Sequence, residues 1–111
     1  MNQNYNSFKD WMTNHFSNKE LADIANFGCA SGFHGLIYYS ETTTLYQQYK
    51  DDIWELVTDA TELYGYKSSM EFLASLHGSL IDDADQFENL LVWFAAEQIA
   101  WQITDAVYDA N

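Results

Sequence analysis

The chain has 111 residues, 48% hydrophobic and 17% aromatic, with 17 acids against 4 lysines and no arginine, a formal net charge of -13. That length implies one domain over residues 1–111, and the apolar content is too high for a disordered acidic tail. The charge argues against direct binding to nucleic acid, which requires clustered Lys and Arg to neutralise phosphates, and against anionic membrane surfaces; it attracts basic surfaces over long range.

Residues 1–6 have neither a basic nor an apolar run, so no signal peptide is expected, and a single cysteine suits a reducing compartment. Both point to the cytosol. Phe8, Trp11, Met12, His15 and Phe16 recur at helical spacing behind Asn6 or Ser7. Ser17 and Glu20 form a capping-box pattern, opening a second helix through Leu21, Ile24 and Ala25 that Gly28 is expected to stop. Residues 28–35 hold three glycines and predict a loop, followed by a short extended piece over 36–39.

A long helix is predicted from about 41 to 64, with Leu45, Tyr49, Ile53, Leu56, Ala60 and Leu63 as its apolar stripe and Gly65 as its C-terminal cap. Ser68 and Glu71 open a short helix that Gly78 would close. The last helix starts near 83–86 and runs to about 108, with apolar residues on almost every face between Phe87 and Ile103, so it should be the most buried. The expectation is an all-α, compact bundle of about five helices with a buried C-terminal helix and a Gly-rich loop after the second helix.

Catalytic patterns are weak. His15, His34, His77 and Cys29 lack zinc-site spacing, and His15 sits where a hydrogen-bonded core histidine is expected. Cys29 and His34 share the predicted glycine loop, which suggests a small hydrolase as the reading from another class, but no orienting residue lies nearby. The loop lacks the Gly-Lys-Ser/Thr ending of a phosphate cradle. Asp82, Asp83 and Asp85 stand at the start of the last helix, where carboxylates satisfy free N–H groups, and an EF-hand loop is excluded by spacing. No catalytic residue, metal ligand or cofactor is assigned, and the chain is read as a binding protein rather than an enzyme.

The acids on helices carry more information. Asp51, Glu55, Asp59 and Glu62 fall at i, i+4, i+8 and i+11, one ridge along the long helix flanked by Asp52, with only Lys50 near enough to compensate. Neighbours are about 6 Å apart along the axis or slightly less, and like charges at this spacing cost helix stability. Glu97, Asp105 and Asp109 share a face with Trp101 on the last helix. Any one stripe is ordinarily a solvated face. Two such stripes plus the acids at 82–88 on a small domain suggest an imitation of the nucleic-acid backbone, whose charges repeat every 3.4 Å or so along a strand. Tyr38, Tyr39, Tyr46, Tyr64 and Tyr66 are too many for one small core, and Tyr38 and Tyr39 are the leading contact candidates among them.

A short acidic helical chain without a catalytic motif resembles the anti-CRISPR and anti-restriction proteins of phages and mobile elements. Residues 26–42 (NFGCASGFHGLIYYSET) and 90–97 (LLVWFAAE) are similar to a family of small phage-borne proteins of unassigned activity. The resemblance implies a phage-encoded inhibitor in the host bacterial cytosol. Its partner would be a protein with a basic nucleic-acid-binding surface, a CRISPR-Cas effector subunit, whose access to target DNA or its PAM it blocks. The alternative is an anti-restriction DNA mimic acting on a restriction-modification or other DNA-binding enzyme. The expected contact residues are Asp51, Asp52, Glu55, Asp59, Glu62, Asp82, Asp83, Asp85, Glu97, Asp105, Tyr38, Tyr39 and Trp101.

Overall fold

Six consecutive residues of the last helix, 91–96, are buried. A helix buried on every side needs neighbours all round it, and the other elements supply them. The computed structural model describes residues 7–31, 39–77, 81 and 83–109. They form α1 (Phe8–His15), α2 (Asn18–Ser31), α3 (Tyr39–Leu63), α4 (Ser69–His77) and α5 (Ala84–Asp109), with no strand among them. The protein is an all-α bundle. Helix α5 touches all four others, α2 and α3 most extensively. Ala95, Ala96 and Ala100 are fully buried, and such small side chains let neighbouring helices approach closely.

Local chemistry fixes where the helices begin and end. The Ser7 hydroxyl accepts from the Asp10 amide at 3.1 Å and caps α1. The capping box before α2 is complete: the Ser17 amide donates to Glu20 Oε1 at 2.9 Å, and the Glu20 amide donates to Ser17 Oγ at 3.1 Å. At α4 the Glu71 amide donates to Ser68 Oγ at 3.2 Å. Helix α3 ends in a Schellman motif, with Tyr66 N–H on the Thr61 carbonyl at 3.0 Å and Gly65 N–H on that of Glu62 at 3.1 Å. Gly65 closes it with φ +79°.

The core joins Phe8, Met12, Leu21, Ile24, Ile53, Val57 and Leu73 to the α5 residues Leu91 and Val92. Thr42 is fully buried and its hydroxyl donates to Asn89 Oδ1, tying α3 to α5 across the core. The buried Thr61 and Thr104 hydroxyls donate back to the carbonyls of Val57 and Ala100, so these polar groups lie satisfied inside an apolar setting.

Four expectations change. Helix α2 does not stop at Gly28 but continues to Ser31, because an interior glycine lowers helix stability by about 1 kcal/mol without forbidding helical angles. The predicted loop over 28–35 therefore begins as helix; 32–38 lie outside the described residues, including most of the expected extended piece, and Tyr39 already opens α3. Helix α3 is kinked, since Tyr49 has φ -121° and ψ 29°. Its buried line runs through Leu45, Tyr49, Ile53, Val57 and Ala60; Leu56 is only partly buried and Leu63 is exposed. Leu63 lies in the last turn, where α4 meets the Thr61 side through Ser69 Oγ at 3.3 Å. His15 is exposed, not a core histidine: its ring stacks on Trp11 at 4.0 Å, while Phe16 turns under Trp11 edge-on.

A β-carbon at Gly65 would meet nothing within 4 Å, so a substitution there incurs only the left-handed backbone penalty. Gly65→Ala should lower stability by about 1 kcal/mol, and Gly65→Asn by less. Urea midpoints measure both, and an alanine variant as stable as the parent contradicts the Schellman cap.

Candidate protein interface

The acids on α3 divide by position. Asp51, Glu55, Asp59 and Glu62 are all exposed. At 3.6 residues per turn they fall within an arc of about 80° on the side of α3 away from Ile53, Val57 and Ala60. All four follow the kink at Tyr49, so one continuous helical segment of about 16 Å carries them. Lys50, the nearest base in sequence, has its ammonium 6.0 Å from the centre of the Tyr46 ring. Tyr46 is in turn held by Trp54, whose Nε1–H donates to Tyr46 Oη at 2.9 Å, and Trp54 rests edge-on against Phe87 of α5.

Asp52 belongs to the interior architecture. It is half-buried, and its Oδ2 accepts the Phe8 amide at 3.0 Å. Phe8 is the first residue of α1, so a carboxylate of α3 satisfies a free N–H of α1 and complements its dipole. The same contact places the Phe8 ring flat on Tyr49, with centroids 5.6 Å apart. Asp52, one of the expected contact residues, also serves as a tertiary cap.

Asp83 and Asp85 are exposed at the start of α5, and Asp83 Oδ1 accepts the Asp85 amide at 2.8 Å. This is helix-start chemistry, distinct from the α3 ridge. Glu97 is half-buried on α5 and Trp101 is 45% exposed further along it. The Asp105 side chain, the Tyr39 side chain, Asp82 and Tyr38 lie outside the described residues, as does His34. Cys29 is within α2 and not in a loop. Among the described residues, no three His, Cys, Asp or Glu side chains gather as a metal site, and no helix is long and apolar enough to cross a membrane.

One feature escaped the sequence reading. Around the turn between α3 and α4, Leu63 is 78% exposed, Tyr64 66% and Met70 47%. The tyrosine count predicts Tyr64 and Tyr66 as surplus to the core, but the apolar spacing of α3 predicts Leu63 inside it, and no periodicity marks the patch.

A family model for a domain of unknown function, DUF7222, matches residues 2–109. The chain belongs to the DUF7222 family. Neither a curated protein nor a solved structure matches it. The chemistry of this DUF7222 domain therefore rests on its own residues.

The two roles of the α3 acids separate in a stability measurement. Asp52→Ala should cost about 1–2 kcal/mol, since it leaves the Phe8 amide without its acceptor while Ser7 still caps the Asp10 amide. Asp51→Asn and Glu55→Gln should change stability by less than about 0.5 kcal/mol. Denaturant titration of the three variants checks this; equal losses at all three positions contradict the division.

Proposed function

We propose that this DUF7222 protein is a stoichiometric inhibitor that lays the α3 acidic ridge on a basic nucleic-acid-binding surface of another protein. The observation that carries the proposal is the exposure of Asp51, Glu55, Asp59 and Glu62 along one helical segment, on the side opposite the core. Four carboxylates repeating at about 6 Å or less give the potential of a charged backbone in a fixed shape. Like charges at i,i+4 cost helix stability, so the ridge is better accounted for by recognition than by folding. The net charge of -13 adds long-range attraction for the same kind of surface.

The biological setting comes from the resemblance of residues 26–42 and 90–97 to small phage-borne proteins. It makes the partner a bacterial defence complex in the host cytosol, and in the leading form of the proposal an RNA-guided CRISPR effector. An acidic ridge in its DNA channel or over its PAM-reading residues excludes target DNA by occupancy, without a chemical step. Charges at the rim of such a contact set association rate and specificity more than final affinity.

The test uses the immobilised wild-type chain and a fourfold variant, Asp51→Asn, Glu55→Gln, Asp59→Asn and Glu62→Gln, each challenged with lysate from a bacterium carrying CRISPR and restriction systems. Wild type should retain effector subunits, and association of the recovered partner with the variant should be slower by about tenfold or more at low salt. The difference should vanish near 1 M salt, where the Debye length falls to about 3 Å. Recovery of restriction subunits instead redirects the proposal to the anti-restriction form. Equal association of both proteins at every salt concentration defeats it.

A further inference from the structure

The turn between α3 and α4 displays large apolar side chains on an unusually well-held support. Tyr64 stacks on Phe72 with centroids 5.7 Å apart, Tyr66 tilts over the same ring at 5.4 Å, and Phe72 meets Phe94 of α5 edge-on at 5.2 Å. Phe72 and Phe94 are both buried, so a tier of rings runs from the surface into the core. The Tyr66 hydroxyl and Ser75 Oγ are 2.9 Å apart, fastening the turn to α4. The Schellman bonds at Gly65 hold its backbone. The Tyr64 ring and the turn backbone therefore have little freedom left to lose when the turn is covered, the property that makes aromatic residues effective anchors.

Asp59 and Glu62 stand on the last two turns of α3 immediately before this patch. We infer that the α3–α4 turn is a docking knob on which Leu63, Tyr64 and Met70 enter an apolar recess of a protein partner, while Lys or Arg on its rim pairs with Asp59 and Glu62. This rests on the acidic-ridge proposal and gives it an anchor. The ridge supplies steering, and the knob supplies the buried contact that slows dissociation. Charge decides the class of occupant, since Asp59 and Glu62 outnumber the exposed Lys67 of the turn itself. A second copy of the chain would bring two bodies of net charge -13 together with their ridges adjacent, whereas a basic-rimmed partner is attracted on approach.

Two synthetic peptides test the knob on the intact protein: an amphipathic helix of Leu and Lys, and a peptide of the same lysine count with Ser in place of every Leu. Backbone amide NMR locates each peptide, and fluorescence titration gives its affinity. Both should shift amides of 51–62, and only the Leu–Lys peptide should also shift 63–70. Leu63→Ser with Tyr64→Ser should weaken the Leu–Lys peptide by about tenfold and leave the Leu-free peptide unchanged. Leu63→Ser alone, at a side chain 78% exposed, serves as the variant that preserves the fold, and it should show part of the same loss. If both peptides bind equally and shift only 51–62, the knob is overturned and the ridge stands. If the Leu–Lys peptide shifts 63–70 but neither peptide shifts 51–62, the ridge reading fails and only the apolar contact survives. Concentration-dependent dimerisation of wild type, abolished by Leu63→Ser, assigns the patch to a second copy and overturns the knob.

Discussion

The fold depends on the need to cover α5. A helix whose residues 91–96 are all buried cannot rest on one neighbour, because each face removed from water contributes about 25 cal/mol per Å² of apolar area. Helices α2 and α3 cover it most extensively, and α1 and α4 also pack against it. Each covering helix thus turns one face inward and leaves the other to solvent. Among the described acids, Asp51, Glu55, Asp59 and Glu62 stand on the outward face of α3, where they do not oppose packing.

Helix α3 shows how closely the two demands can share one element. Ile53 and Val57 are fully buried, while Asp51, Glu55 and Asp59 on the same turns are exposed. Between these faces lies Asp52, which is an acid by composition and a cap by position. The kink at Tyr49 adjoins this boundary, and the Tyr49 ring stacks on Phe8. An acidic surface here is therefore more than a uniform coat. Some carboxylates organise helix starts, as Asp52 and Asp83 do, and the ridge carboxylates Asp51, Glu55, Asp59 and Glu62 stand exposed.

Much of this was legible in the sequence, for identifiable reasons. Capping chemistry is local, so Ser17, Glu20, Ser68 and Gly65 marked their boundaries directly. The all-round apolar character of 87–103 identified the central helix, because only burial on every side explains it. The exposed ridge followed from spacing alone. What failed was decided by tertiary neighbours. Leu63 continues the apolar pattern of α3, yet nothing among the described residues covers it at 78% exposure. His15 shares a helical face with Phe8 but sits at the end of α1, outside Trp11. Gly28 carries the signal of a stop, although helix continues through it; the added role of Asp52 as a cap of α1 depends on a neighbour distant in sequence.

If the exposed acids of α3 serve recognition, as proposed, folding proceeds in spite of them. The salt dependence of unfolding tests it most directly. Self-repulsion among exposed carboxylates is screened as the Debye length shortens, to about 10 Å at 0.1 M. Wild-type stability in urea should therefore rise as NaCl is increased from low concentration toward 0.3 M. It should rise less in the variant neutralised at Asp51, Glu55, Asp59 and Glu62, which begins more stable by a few tenths of a kcal/mol per relieved pair. A wild type that loses stability as salt is added, or a neutralised variant less stable than its parent at low salt, would show that the ridge holds the fold together and contradict the account.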